Sequence, residues 1–226
     1  MDADVSGAVD TFQRAFYKSK VWRRRTWLGV ACHQNPMDMW MIQEIIQETR
    51  PDLIIETGTR HGGSALYYAT MLGLVGNGRV ATVDVKPEHL AGPSGWIDGE
   101  GMAVDSPYFD RVDTMTGSSV DPAVVAQMRE KAQAVERVMV ILDSDHSKQH
   151  VLAELAAYAD LVTPGCYLIV QDTNLSGHPV QAGPWEPGDG PWEALEEFLP
   201  DQRFEVDRSK EELMFTWFPG GYLRRV

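Results

Sequence analysis

Residues 54–64 read Ile54-Ile55-Glu56-Thr57-Gly58-Thr59-Arg60-His61-Gly62-Gly63-Ser64. With Leu53, the first two form a short apolar run of the kind found in a buried strand. The run ends in a carboxylate, Glu56, and the turn Gly58…Gly62-Gly63 then opens a helix near Ser64. Glycines at such a turn let backbone N–H groups approach a ligand, and the helix N-terminus adds a favourable partial charge. The spacing is not G-x-G-x-x-G, so the dinucleotide fingerprint is not met. An acidic strand end before a looser glycine turn suits a cationic or zwitterionic nucleoside better than a pyrophosphate. S-adenosylmethionine is the ligand with that chemistry. A tight strand-to-helix connection without any ligand has the same local sequence, so the reading depends on what the rest of the chain supplies.

Outward from this turn, strand and helix signals alternate, which predicts an α/β fold with a largely parallel sheet. Strands are expected at 52–56, 79–84, 111–115, 137–143 and 166–171, with helices at 63–72, 121–134 and 147–160. Segment 137–143 is apolar nearly throughout, as a strand covered on both faces must be. Ahead of them, 7–20 reads as a helix, and a second starts at Pro36 and stops before Pro51. Residues 190–218 read as a helix and then two strands closing against Gly220-Gly221. The division expected is an N-terminal helical segment, 1–50, serving the substrate site or a subunit interface, and a domain over 51–226. Two Gly- and Pro-rich stretches, 86–110 and 176–191, break the rhythm and are candidates for binding loops or plain surface loops.

Composition narrows the function classes. A length of 226 residues and 43% hydrophobic content fit one globular domain with a sizeable core. No apolar run is long enough to span a bilayer, and Met1-Asp2-Ala3-Asp4 lacks the basic start of a signal peptide. Cys32 and Cys166 stand alone, which argues against a disulfide framework and fits the cytoplasm. A net charge of −13 argues against nucleic-acid binding, and Arg23-Arg24-Arg25 is too short a cluster to reverse it. A homo-oligomer is compatible with this chain.

The chemistry-bearing residues fall at strand ends. Asp84 closes the second strand of the main series, where a carboxylate can bind the two hydroxyls of a ribose. Ser119, in Gly117-Ser118-Ser119 after the third, could meet an adenine edge. The fourth strand ends Leu142-Asp143-Ser144-Asp145-His146-Ser147-Lys148 and the fifth Val170-Gln171-Asp172-Thr173-Asn174. Neighbouring parallel strands would bring these ends together, so that Asp145, Gln171 and Asp172 offer three hard oxygen donors suited to Mg²⁺. Lys148, one helical turn from Asp145, would then be a base, with His146 as its competitor. Asp143 and Asp145 could instead simply cap the following helix. Trp96, Tyr108, Phe109 and Trp185 are candidates for an acceptor pocket, or for packing.

These residues resemble the cephalosporin hydroxylase family, metal-dependent S-adenosylmethionine methyltransferases that include enzymes methylating rhamnose or cephalosporin hydroxyls. The likeness runs over about residues 20–226. It is carried by Pro36-Met-Asp38-Met-Trp40, Ile55 to Ala65, Leu142-Asp-Ser-Asp-His146, Val151-Leu-Ala-Glu-Leu155, Val170-Gln-Asp-Thr-Asn174 and Gly221-Tyr-Leu-Arg-Arg225. It implies a single Rossmann-like class I methyltransferase domain, with a seven-stranded, mostly parallel sheet and helices on both faces. It further implies that Glu56, Gly58, Thr59, Gly62, Ser64, Asp84, Ser119 and Asp143 hold the cofactor and that the metal falls to Asp145, Gln171 and Asp172. The family commonly has Glu where this chain has Gln171, one negative charge fewer for a cation. Asp145-His-Ser-Lys148 is also similar to the Asp-x-x-Lys of catechol O-methyltransferases, which implies Lys148 as base and a vicinal diol or catechol as small-molecule acceptor. The rivals are a hydroxylase, as the family name suggests, and a cofactor-binding accessory protein without catalysis. Against the first, no two-His-one-carboxylate triad is evident in the sequence.

Overall fold

A computed structural model describes residues 3–86, 89–90 and 92–226. Helix α1 (Ala3–Ser19), the hairpin β1 (Thr26–Trp27) and β2 (Val30–Ala31), and helix α2 (Pro36–Thr49) come first. Then follow β3 (Leu53–Thr57), α3 (Gly63–Val75), β4 (Arg79–Asp84), β5 (Val112–Thr116), α4 (Pro122–Gln133), β6 (Val138–Leu142) and α5 (Lys148–Tyr158). The chain ends in β7 (Tyr167–Val170), α6 (Pro191–Phe198), β8 (Phe204–Val206) and β9 (Tyr222–Arg225).

Seven strands form one sheet in the order β5-β4-β3-β6-β7-β9-β8. The first five are parallel, and β9 runs antiparallel to both β7 and β8. Every residue of β3 and β6 is buried, which is why those segments are apolar without alternation. The period of two still sorts their side chains. Ile54, Val80, Met139, Ile141 and Ile169 pack with α2 and α3 through Ile42, Ile45, Tyr68 and Leu72. Ile55, Ala81, Val140, Leu142 and Leu168 pack with α4 and α5 through Met128, Leu155 and Tyr158. Each such aliphatic side chain contributes about 1.5–3 kcal/mol by leaving water. The chain runs outward from β3 through β4 to β5, then returns to the other side of β3 with β6. This reversal leaves a crevice above the carboxyl ends of the strands.

The N-terminal helices are part of this core. Asn35 caps α2 by accepting from Met37 N, and Pro36 takes the first helical turn, where its missing N–H costs nothing. Phe16 meets Phe215 edge-on at 5.3 Å, and Trp22 meets Trp217 at 5.5 Å. Asp38, fully buried on α2, accepts hydrogen bonds from Asn35 Nδ2, Thr216 Oγ1, Trp217 N and Tyr222 OH.

Three expectations change. The two closing strands do not both precede Gly220-Gly221: β8 does, and β9 follows the pair. Residues between them have backbone groups already engaged, with Trp217 N on Asp38 and Phe218 N on Thr216 Oγ1, and so cannot pair in the sheet. Gly221 is needed where it stands, because a Cβ there would lie 2.2 Å from Val170 O. The β1–β2 hairpin was not anticipated, since its Leu28-Gly29 turn lacks the usual Asn or Asp. Loop 86–110 carries 3₁₀ turns at Ala103–Asp105 and Pro107–Arg111, which press Tyr108 onto α3 at Gly73.

Candidate active site

One cavity of about 1210 Å³ lies over the carboxyl ends of β3 to β7. Its lining includes Gly58, Thr59 and Ser64 after β3, Asp84 at the end of β4, Ser119 after β5, Asp143, Asp145 and His146 after β6, and Asp172 after β7. The N-terminal segment supplies a further wall, with Tyr17, Trp22, His33 and Gln34.

The floor is acidic. His146 Nε2 stands 3.1 Å from Asp172 Oδ2 and 3.9 Å from Asp143 Oδ1. One ligand atom from each of Asp143, His146 and Asp172 lies within 4.8 Å of the other two. Burial pushes the Asp143 carboxyl well above its ordinary range, and the nearby Asp172 and Glu56 push it further. Burial raises Asp172 as well, against the pull of His146 and Arg60. The three side chains remain 15–17% exposed, so the cluster is open to the cavity. Two facing carboxylates held out of water are what a divalent cation relieves, and the donor set therefore fits one. Gln34 steadies this floor by donating from Nε2 to Asp143 Oδ2 at 2.8 Å, while its buried Oε1 has no partner within the protein.

This differs from the trio expected from sequence. Asp145 is exposed, and its Oδ1 accepts from Ser147 N at 2.8 Å. Gln171 is 2% exposed, does not line the cavity, and donates to Tyr68 OH on the α3 side of the sheet. Adjacent residues leaving a strand point to opposite faces, so Gln171 and Asp172 cannot both face the cavity. Lys148 is turned away and pairs with Glu197 at 3.0 Å. The one-turn argument fails because α5 starts at Lys148 itself, after the Ser147 cap, so Asp145 and Lys148 share no helical face.

The expected cofactor residues divide as well. Asp84 holds the glycine turn by accepting from Arg60 N at 2.7 Å and Lys86 N at 2.8 Å. Ser119 Oγ lies 3.0 Å from His150 Nε2, and the same nitrogen is 3.0 Å from Ser144 Oγ. Behind them, buried Glu154 accepts from Ser144 Oγ at 2.7 Å, which accounts for an acid inside the Val151–Leu155 motif. Glu56 does not line the cavity. It sits behind the turn, accepting from the Thr82 hydroxyl, and burial raises its carboxyl to about 7 against hydrogen bonds from Ser64 and Thr82. Gly58 answers a packing need: at φ +92° a Cβ would lie 1.9 Å from Asp143 O. Gly62 also lies outside the lining, where a Cβ would press on Ala103 and Leu90. Gly58, Ser64, Asp84 and Ser119 line the same cavity as the acidic floor, and this polar lining fits a zwitterionic nucleoside.

Of the loop aromatics, Trp185 lines the cavity and meets the His146 ring edge-on at 5.4 Å. Trp96 instead covers the Arg23 guanidinium at 4.9 Å, and Tyr108 and Phe109 pack on Val30, Leu66 and Ala103. Sequence reasoning passed over His33, Gln34, His61 and His150. The first two come from a segment far from the strands, and their only local mark is a polar run before the Asn35-Pro36 cap.

A sheet in this order, with the antiparallel β9 next to its edge and a ligand-sized crevice over the parallel strand ends, defines the class I methyltransferase fold. The solved structure of CmcI with Mg and SAM shares it, with a TM-score of 0.61 at 16% identity over 89% of this chain and 76% of that one. The family described as rhamnosyl O-methyltransferase/CmcI matches residues 19–226, and the chain belongs to that family. Rhamnosyl O-methyltransferase of Mycobacterium tuberculosis is 37% identical over 223 residues, covering 96% of this chain and 84% of the relative. Catechol O-methyltransferase of Sus scrofa is 27% identical over 151 residues, covering 66% and 75%. The enzyme class is that of an S-adenosylmethionine-dependent O-methyltransferase.

Proposed function

We propose that this chain methylates a hydroxyl of a small molecule bearing neighbouring oxygens, such as a sugar, a vicinal diol or a catechol, and that it does so with a divalent cation such as Mg²⁺. The observation that carries this reading is the Asp143–His146–Asp172 cluster at the floor of the cavity. It gains support from relatives whose names specify a rhamnosyl and a catechol acceptor, and from CmcI, solved with Mg and SAM.

When bound, S-adenosylmethionine supplies an electrophilic methyl group, and the cation supplies charge that favours loss of the acceptor's proton. The chain's own residues do the rest. Asp143 and Asp172 would hold the cation, with Gln34 fixing the Asp143 carboxylate. With Asp172 engaged by the cation, His146 Nε2 would no longer donate to it and would take the acceptor proton, the nearby Asp172 carboxylate facing the charge that the ring gains. Asp84, Ser64 and Ser119 orient the donor along the crevice, and Trp185 closes over His146. Alignment of donor and acceptor accounts for much of the rate, because a bimolecular attack becomes a positioned one. Lys148, tied to Glu197, stands outside this arrangement.

The test is methyl transfer from S-adenosylmethionine to catechols, diols and rhamnosides, with Mg²⁺ and with EDTA, in the parent and two variants. His146→Ala is expected to lose about 10²-fold or more in kcat, the usual weight of a general base. Lys148→Ala should stay within a few-fold. The opposite ranking would return the base to Lys148, and turnover undiminished by EDTA would remove the cation.

A further inference from the structure

The floor of the cavity is acidic, but its wall on the N-terminal side is not. Arg14 and Lys18 on α1 and Lys20 just beyond it all line the cavity. Arg14 and Lys18 stand four residues apart, the spacing at which like charges on one helix face repel. Lys20 adopts φ 56°, a left-handed conformation that costs a non-glycine residue stability. Among the described residues, none of the three meets a carboxylate within ion-pair distance. Other cations of the chain do find a carboxylate, among them Arg79 and Lys131 with Asp113, Arg137 with Asp52 and Lys210 with Glu48. Arg60 and Lys86 also line the cavity, but they flank the glycine turn and the end of β4, where the zwitterionic donor would lie. The α1 cations are not needed there.

We propose that Arg14, Lys18 and Lys20 select an acceptor carrying an anionic group, a carboxylate, sulfate or phosphate, on the side of the molecule away from the hydroxyl to be methylated. This rests on the functional reading above. The acceptor is bipolar in its recognition: its hydroxyls face Asp143 and Asp172 while its anion faces α1. Repulsion among the three cations is relieved when that anion enters. A negatively charged molecule is otherwise repelled by a protein of net charge −13, so the wall also offers a local field that draws it in.

The test measures binding and turnover separately. The ligands are two catechol acids of different reach, 3,4-dihydroxybenzoate and 3-(3,4-dihydroxyphenyl)propanoate, each beside its uncharged amide. Binding is followed by tryptophan fluorescence, since Trp22, Trp185 and Trp217 line the cavity. At low salt at least one acid is expected to bind about fivefold or more tightly than its amide. The preference should vanish in Lys18→Glu/Lys20→Glu and shrink in the parent at high salt, while amide binding stays unchanged. Equal binding of acid and amide, a preference that survives the double variant, or no saturable binding by either class would overturn the proposal. Methyl transfer to the amides reports on the functional reading alone, so turnover of amides without acid preference sinks this inference and leaves that reading intact.

Discussion

Replacing Asp172 by Asn should stabilise the metal-free protein and abolish its response to cation. Asp143 and Asp172 present oxygens within 4.8 Å of each other, largely out of water. Two unit charges at that separation, in a surrounding of effective dielectric near 20, repel by about 3 kcal/mol, and relaxation leaves about 1–3 kcal/mol to recover. Asparagine keeps an acceptor oxygen for His146 and tolerates the left-handed φ of 56° at this position better than most residues. Burial, with the Asp172 charge adding to it, raises the folded-state carboxyl of Asp143 above its unfolded value. The native state therefore holds a proton that the unfolded chain releases, and stability falls as pH rises above the ordinary carboxylate range. The gain from Asp172→Asn should be full in mildly alkaline EDTA buffer and should fade toward about pH 4, where the carboxyls are protonated in both states. Urea unfolding with EDTA and with Mg²⁺ reads both effects: the parent gains stability from Mg²⁺ and the variant does not. A variant less stable than the parent in EDTA, or one that Mg²⁺ still stabilises, would refute the argument that these two carboxylates share one cation.

Two further outcomes can be checked on the unliganded protein. Gly58→Ala places a methyl group 1.9 Å from Asp143 O at φ +92°, so urea unfolding should show a loss of about 3 kcal/mol or more, from strain and overpacking together; a loss under about 1 kcal/mol would mean that the turn shifts freely. Asp38 and Glu56 are both raised to about 7 by burial, so unfolding free energy should fall between about pH 4 and 7 by roughly 1.4 kcal/mol per pH unit for each group. A flat profile across that window in EDTA would show that these carboxyls are ionised without penalty.

Much of the sheet was legible because β3, β6 and β7 are short, mainly apolar runs beside helices, and local pattern suffices for that. The cavity's position followed from the parallel order alone. The ligand set did not. Asp143 and Asp145 are two residues apart and both line the cavity, and which one joins His146 and Asp172 depends on the path into α5, a boundary set by the Ser147 cap. Gln171 and Asp172 are adjacent, so one had to turn into the core, and Tyr68 OH awaits the amide there. Gln34 reaches Asp143 across more than a hundred residues of sequence, a contact no local pattern encodes. The glycine turn was correctly seen as special, but at Gly58 the constraint comes from the backbone of the neighbouring strand end.

The ring of donors around Asp38 has a bearing on how the chain comes to be made. Three of its hydrogen-bond donors lie on Thr216, Trp217 and Tyr222, some 180 residues downstream. During synthesis α2 emerges early, yet its central carboxylate can be buried only once Thr216, Trp217 and Tyr222 have left the ribosome. Until then Asp38 keeps its water, and the cluster around Ile42, Ile45 and Ile46 lacks Trp217, Phe218 and Tyr222. Closure of this domain therefore waits for Tyr222, and a nascent chain stopped short of Thr216 should be a client for chaperones rather than an enzyme.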